Sequence, residues 1–205
     1  MSTAFILYAL PRSRTRWLSE FLSYKDFHCC HEQAVTMRSL DDVRTFFGRS
    51  NIGTVETAAI YGRVLIKHIV PDIREVVILQ DVDKAVDRMM KTDTGGIATY
   101  DKNIVYKTFL RADRLLRKAA SDPNVLTVDY NDLDKEETCK TIFEHCLPYP
   151  FDREYWKVFK DWNIQINIKD FMLYYSCNKD KVEAFKAHCK SELRKLVRDG
   201  LIWQH

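Results

Sequence analysis

The sequence predicts a three-layer α/β fold, a mainly parallel central sheet with helices on both faces. Two observations predict it. Short, apolar, β-prone runs alternate along the 205 residues with segments of helical periodicity, the pattern of strands joined by crossover helices. The first run, Ala4 to Leu10, is apolar at every position rather than at alternate ones, as a strand buried on both faces requires.

Pro11 ends that first strand, because it lacks the N–H a sheet ladder needs. Ser13 or Thr15 is the expected N-cap of a helix whose Trp17, Leu18, Phe21 and Leu22 follow helical spacing. Phe27 to Cys30 reads as a second strand, and Ser39 opens a helix with Leu40, Val43, Phe46 and Phe47 apolar. Asn51 to Val55 reads as a third strand, followed by an apolar helical stretch through Ile66. Glu75 to Gln80 is the clearest strand after the first, and Asp81 to Lys91 suits a helix. Thr94-Gly95-Gly96 reads as a turn. Helical periodicity then runs from Asp101 to Ala120 through Val105, Phe109, Ala112, Leu115 and Leu116, until Asp122-Pro123 breaks it. Asn124 to Val128 is the last strand, a helix spans Lys135 to Cys146, and an amphipathic helix from Lys179 to Arg198 ends at Gly200.

Composition bounds the function. No Gly/Ser/Pro-rich linker divides the chain, so residues 1–205 are expected to form one domain, with 1–148 as its core and 149–205 as an aromatic and basic lid or acceptor-side segment. A net charge of +3, with acidic residues nearly matching basic ones, argues against a dedicated nucleic-acid binder. No apolar segment approaches the ~20 residues of a membrane span, and the N-terminus has no secretory signature. A cytoplasmic protein is expected. Its six cysteines are then most simply free thiols. His28-Cys29-Cys30-His31 is contiguous, so its side chains do not converge on one tetrahedral ion, and no metal is expected.

The chemistry-bearing segment is Pro11-Arg12-Ser13-Arg14-Thr15-Arg16-Trp17-Leu18. A strand, a tight loop and a helix N-terminus in succession aim backbone N–H groups and the positive end of a helix dipole at one spot, which suits a phosphate-like anion. Three arginines and two hydroxyls add donors. The competing reading is an ordinary basic βα turn. The glycines and lysine of G-x-x-x-x-G-K-[ST] are absent, which removes the main support for an ATPase or GTPase.

The segment resembles the sulfotransferases that use 3′-phosphoadenosine 5′-phosphosulfate (PAPS), whose first strand ends in a loop of the type P-[KR]-S-G-[ST]-[TS]-W-L. Pro11, Arg12, Ser13, Thr15, Trp17 and Leu18 fall on that pattern; Arg14 stands at the usual glycine and Arg16 at a usual hydroxyl residue. The resemblance implies a P-loop-NTPase-like fold and a 5′-phosphosulfate held by Pro11, Arg12, Ser13, Arg14, Thr15 and Arg16, with Arg12 stabilising the transferring group. Cys29-Cys30-His31-Glu32 is similar to the Cys-x-x-Glu-like context that carries the general base in several branches. Glu32 is the preferred base and His31 the alternative; on residues alone, a His-Glu pair at a strand end is also a solvated or helix-capping feature. Gly53-Thr54-Val55-Glu56-Thr57 looks like an acceptor-pocket segment of some bacterial members, while Glu56 reads equally as an early-turn acid favoured by a helix dipole.

The family's strand to the 3′-phosphate site ends in Arg-[Asp/Asn]-Pro-x-Asp-Val-Ala-x-Ser. Here the stretch runs from Gln80 to Arg88, with glutamine for the arginine and Arg88 for the serine. Arg88 either delivers the missing cation to a 3′-phosphate or is a surface charge beside Lys84 and Asp87. Val125 to Leu133 is similar to the family's strand-Tyr-[Glu/Asn]-Asp-Leu, a structural element. From Pro148 onward the aromatic residues, Tyr149, Phe151, Tyr155, Trp156, Phe159, Trp162, Phe171, Tyr174 and Tyr175, read as core or lid packing. The implied reaction is sulfuryl transfer from PAPS to a hydroxyl or amine on a small molecule or glycan. The alternatives are a non-catalytic protein of this fold with a degenerate 3′-phosphate site and, further off, a nucleotide-kinase-type phosphotransferase.

Overall fold

The computed structural model describes residues 4–92, 100–162 and 164, together with 187, 191, 192, 194–196 and 198. The Thr94–Gly96 turn, Phe171, Tyr174, Tyr175, Cys177, Cys189 and most of the expected 179–198 helix lie outside the described residues. In chain order the elements are β1 (Phe5–Ala9), α1 (Thr15–Phe21), β2 (His28–His31), α2 (Leu40–Phe47), β3 (Ile52–Glu56), α3 (Arg63–Ile69), β4 (Arg74–Leu79), α4 (Val82–Met90), α5 (Lys102–Ala120), β5 (Val125–Asp129), α6 (Glu136–Cys146) and α7 (Arg153–Phe159). The five strands form one parallel sheet in the order β2-β3-β1-β4-β5.

The uniformly apolar β1 sits at the centre and is buried along its whole length. Its Ile6, Tyr8 and Leu10 face a core built with Val43, Phe46, Phe109 and Leu116. Phe5, Leu7 and Ala9 face the opposite core, built with Trp17, Leu18, Phe21, Ile142 and Phe143. Thus α1 and α6 cover one face of the sheet, while α2 and α5 cover the other. The crossover leaving β1 departs to the face opposite the one used by its neighbours, so the carboxyl end of β1 is a topological switch point, where open α/β sheets bind ligands.

Helix starts follow their polar residues. Ser39 and Asp42 cap α2 reciprocally, and Asp81 and Asp101 accept first-turn N–H bonds of α4 and α5. The expectation that Ser13 or Thr15 caps α1 is corrected. Arg14 occupies that position in a left-handed conformation with no side-chain cap, and Thr15 is the first helical residue. Ser13 is turned inward, its hydroxyl donating to the Leu10 carbonyl at 2.6 Å.

Gly53 is required by packing. It pairs in register with Phe5 on the adjacent strand, and a Cβ there would lie 2.1 Å from Phe5 Cζ. Phe5 cannot swing freely, because its ring stacks on Phe27 at 5.9 Å between centroids. Gly53→Ala is expected to cost about 1–3 kcal/mol by overpacking, measured as a lowered urea midpoint; an unchanged midpoint contradicts this packing.

Of the aromatic residues after Pro148 among the described residues, Tyr149, Phe151, Tyr155, Trp156 and Phe159 join the core on the α1 and α6 face, while Trp162 stays exposed beside Phe159. Tyr155 stacks on Phe21 at 5.8 Å, and Trp17 Nε1 donates to the Phe159 carbonyl at 2.9 Å. At the amino end of the sheet, Arg63 of α3 holds Glu75 of β4 through two bonds of 2.7 and 2.6 Å and Asp122 at 2.8 Å, with Lys67 3.2 Å from Glu75. Cys29, Cys30, Cys139 and Cys146 are free thiols. Among the described residues no helix is long and apolar enough to cross a membrane, and no cluster of three or more His, Cys, Asp or Glu side chains is arranged to hold a metal.

Candidate active site

Two adjoining groups of residues stand at the carboxyl ends of the strands. The first is the loop after β1. Arg12 and Arg14 both have positive φ, 67° and 57°, so Arg14 takes the backbone conformation that glycine adopts readily. Such a conformation costs a side-chain-bearing residue roughly 1–2 kcal/mol. Arg14 is exposed, and its guanidinium lies 5.8 Å from the Trp17 ring centroid, so its charge leans away from the loop. Arg12 is half-buried, and its charge acts on the Tyr100 phenol. Arg16 pairs with Glu20 one turn along α1.

The inward Ser13 is the hub of a relay to α4. Gln80 Nε2 donates to Ser13 Oγ and, at 3.3 Å, to the Pro11 carbonyl. Gln80 Oε1 accepts from the Arg88 guanidinium, which lies 4.6 Å from the Tyr130 ring centroid. Arg88 is therefore not a surface charge on a solvated helix face: it is half-buried between Gln80 and Tyr130. Its Nε is buried without a hydrogen-bond partner. Tyr130, which the sequence presents only as part of a structural strand end, is the ring that holds this cation.

The second group follows β2 and β3. His31 Nε2 lies 3.0 Å from Thr15 Oγ1, which joins the end of β2 to the arginine loop. Burial, aided by the nearby Arg16 charge, holds His31 down at about 4, so its imidazole is neutral at pH 7. Glu32 follows with φ 55° and is 8% exposed. Its Oε2 accepts from the Thr57 N–H at 3.3 Å, and burial pushes its carboxyl well above the ordinary carboxylate range. A buried carboxyl on a left-handed residue combines two features that cluster at functional sites.

Glu56 corrects a further expectation. It is not an early-turn acid of a helix but the last residue of β3, 1% exposed. Its Oε1 accepts from the Ala34 N–H at 3.0 Å and from Thr54 Oγ1 at 2.6 Å. Burial first, and then the neighbouring Glu32 charge, raise its carboxyl strongly. The available signal was an acid closing a short strand-like run, Ile52 to Val55, two residues after its threonine.

The structure thus brings Pro11, Ser13, Gln80 and Arg88 into one hydrogen-bonded chain, and Thr15, His31 and Glu32 into an adjoining row.

No protein-family model matches the chain, and no curated protein matches it. Among solved structures it is similar to mouse sulfotransferase SULT7A1, crystallised in complex with PAP. The identity is 15% over 78% of this chain and 64% of that one, with a TM-score of 0.54; the chain thus spans less than two thirds of that sulfotransferase. A gluconokinase from Sinorhizobium meliloti 1021 aligns at 11% identity over 78% of this chain and 95% of that one, with a TM-score of 0.48. The likeness is one of fold: a sulfotransferase-like, P-loop-like α/β architecture.

Proposed function

We propose that this chain is a transferase that moves the sulfuryl group of PAPS to a hydroxyl on a small-molecule or glycan acceptor. The observation that carries the reading is the placement of a buried, readily protonated carboxyl, Glu32, directly after the strand end that His31 ties to the arginine loop through Thr15. Sulfuryl transfer needs little covalent chemistry from a protein. It needs cationic and N–H donors around an anion, and a base for the acceptor proton.

In this reading the loop from Pro11 to Arg16 binds the 5′-phosphosulfate, and Arg12 neutralises charge on the transferring group. When bound, PAPS supplies the sulfuryl group and a phosphate leaving group. Glu32 takes the acceptor's hydroxyl proton; its raised carboxyl makes it a better acceptor near neutral pH than an ordinary glutamate, and a far better one than His31 held at about 4. The orphaned Nε of Arg88 is a donor awaiting an acceptor, which suits a 3′-phosphate oxygen. One observation favours the alternative of a non-catalytic protein of this fold. Gln80 replaces a cation and spends both ends of its amide on internal bonds.

Calorimetric titration with 3′-phosphoadenosine 5′-phosphate, adenosine 5′-phosphosulfate and ATP separates the two. The expected result is preference for the 3′-phosphorylated ligand, weakened roughly tenfold to a hundredfold in Arg12→Ala, as befits loss of a charge-assisted bond. Absence of binding overturns the transferase reading in favour of the alternative, and binding indifferent to Arg12→Ala places the anion elsewhere.

A further inference from the structure

The carboxyl of Glu56 is buried more deeply than Glu32 and has no role in the reading above. The two strands that carry these residues are neighbours, with His31 in register with Val55. The Glu32 N–H donates to the Val55 carbonyl at 2.9 Å, so the ladder runs up to the two acids. Their side chains then cross. Glu32 accepts from the Thr57 N–H, in the segment after β3, while Glu56 accepts from the Ala34 N–H, in the segment after β2. Each carboxyl therefore holds the loop that follows the other's strand. One oxygen of Glu56, Oε2, is buried with no hydrogen-bond partner.

We propose that Glu56 is the positioning partner of Glu32: the two cross-laced carboxyls form one dyad that carries a single negative charge, with the proton on Glu56 and the charge on the base. The proposal rests on Glu32 being the base. Two carboxylates so buried cannot both ionise cheaply, because each charge loses its hydration and repels the other. The Thr54 hydroxyl and the N–H groups of Gln33 and Ala34 favour the charged form of Glu56, but burial and the Glu32 charge outweigh them. The other titratable groups that interact with Glu56 are Tyr8 on β1 and Cys29 and Cys30 on β2; beyond them His31 faces Arg16. A protonated Glu56 keeps the Glu32 turn in place without adding a second negative charge where an anionic donor must approach.

The test is a carbon-13 titration of the full chain labelled at the glutamate side-chain carboxyl, from acid to alkaline pH, without nucleotide or acceptor. Two carboxyls are expected to titrate above the ordinary range. In Glu32→Gln the surviving Glu56 midpoint drops by about one pH unit or more, as for strongly interacting sites. In Thr54→Val, which keeps both acids and removes one bond to the charged form, the upper midpoint rises. A Glu56 midpoint that ignores Glu32→Gln, or a pair unmoved by Thr54→Val, overturns the dyad. Failure of nucleotide binding beside coupled midpoints instead removes the catalytic assignment and leaves the coupling intact, so the two failures are distinct.

Discussion

Glu32→Gln is expected to lower kcat for sulfuryl transfer by roughly 10²- to 10⁴-fold, the usual contribution of a positioned base. Affinity for 3′-phosphoadenosine 5′-phosphate is expected to stay nearly unchanged. Glutamine keeps the shape and can still accept the Thr57 N–H through its amide oxygen, so the left-handed turn survives and only the proton acceptor is lost. His31 is a poor substitute, being held at about 4 by burial and Arg16. Steady-state transfer assays beside calorimetry check this, and full kcat with nucleotide bound would move the base away from Glu32. The pH profile gives a second reading. Burial raises the Glu32 carboxyl, so the rising limb of kcat/KM should lie well above the ordinary glutamate value of 4.5 and close to neutrality.

Arg63→Leu carries the largest expected loss of stability, about 3–5 kcal/mol, because it strips a nearly inaccessible carboxylate of its main partner. Glu75 is 1% exposed and receives two bonds from Arg63, leaving Lys67 at 3.2 Å as its remaining cation. The same guanidinium holds Asp122, so α3, β4 and the turn before β5 separate together. The loss corresponds to roughly 6–20 °C in Tm for a chain of this size. Its pH dependence has a definite sign. Hydrogen bonding to Arg63, then to the Asn124 N–H, depresses the Asp122 carboxyl. Its contribution is therefore present above the ordinary aspartate value of 3.8 and fades as pH falls further. The acid limb of stability should flatten in Arg63→Leu, and thermal melts from pH 2 to 7 read it. A Tm within a few degrees of wild type would contradict the network's structural role.

Where the sequence carried local signals, the elements followed them. Seven uninterrupted apolar residues made β1 legible, and Ser39, Asp81 and Asp101 marked their helices because a side-chain oxygen reaching the first-turn N–H is a short-range event. Ser13 was not legible as an inward residue: its orientation depends on Gln80, 67 positions away. Glu56 failed for a related reason. Whether an acid closes a strand or opens a helix depends on what covers it, and here the cover is the turn after β2. The strand order, with β1 between β3 and β4, is likewise a property of helix packing rather than of any one segment. The loop's donor groups are visible in its residue types, while Tyr130 beneath Arg88 had no signal beyond an aromatic ring at a strand end.

The two left-handed arginines after β1 bear on how quickly the loop could take up the anion proposed for it. Their strain is borne by the resting fold, and Ser13, fastened to Leu10 and Gln80, keeps the segment from relaxing into an easier path. If the loop holds the anion proposed above, that anion meets a mould already set. None of the roughly 1–2 kcal/mol per residue that ordering a slack segment demands is left to be met on contact. Capture then depends on charge and diffusion, which salt tunes, rather than on a rearrangement, which temperature would tune.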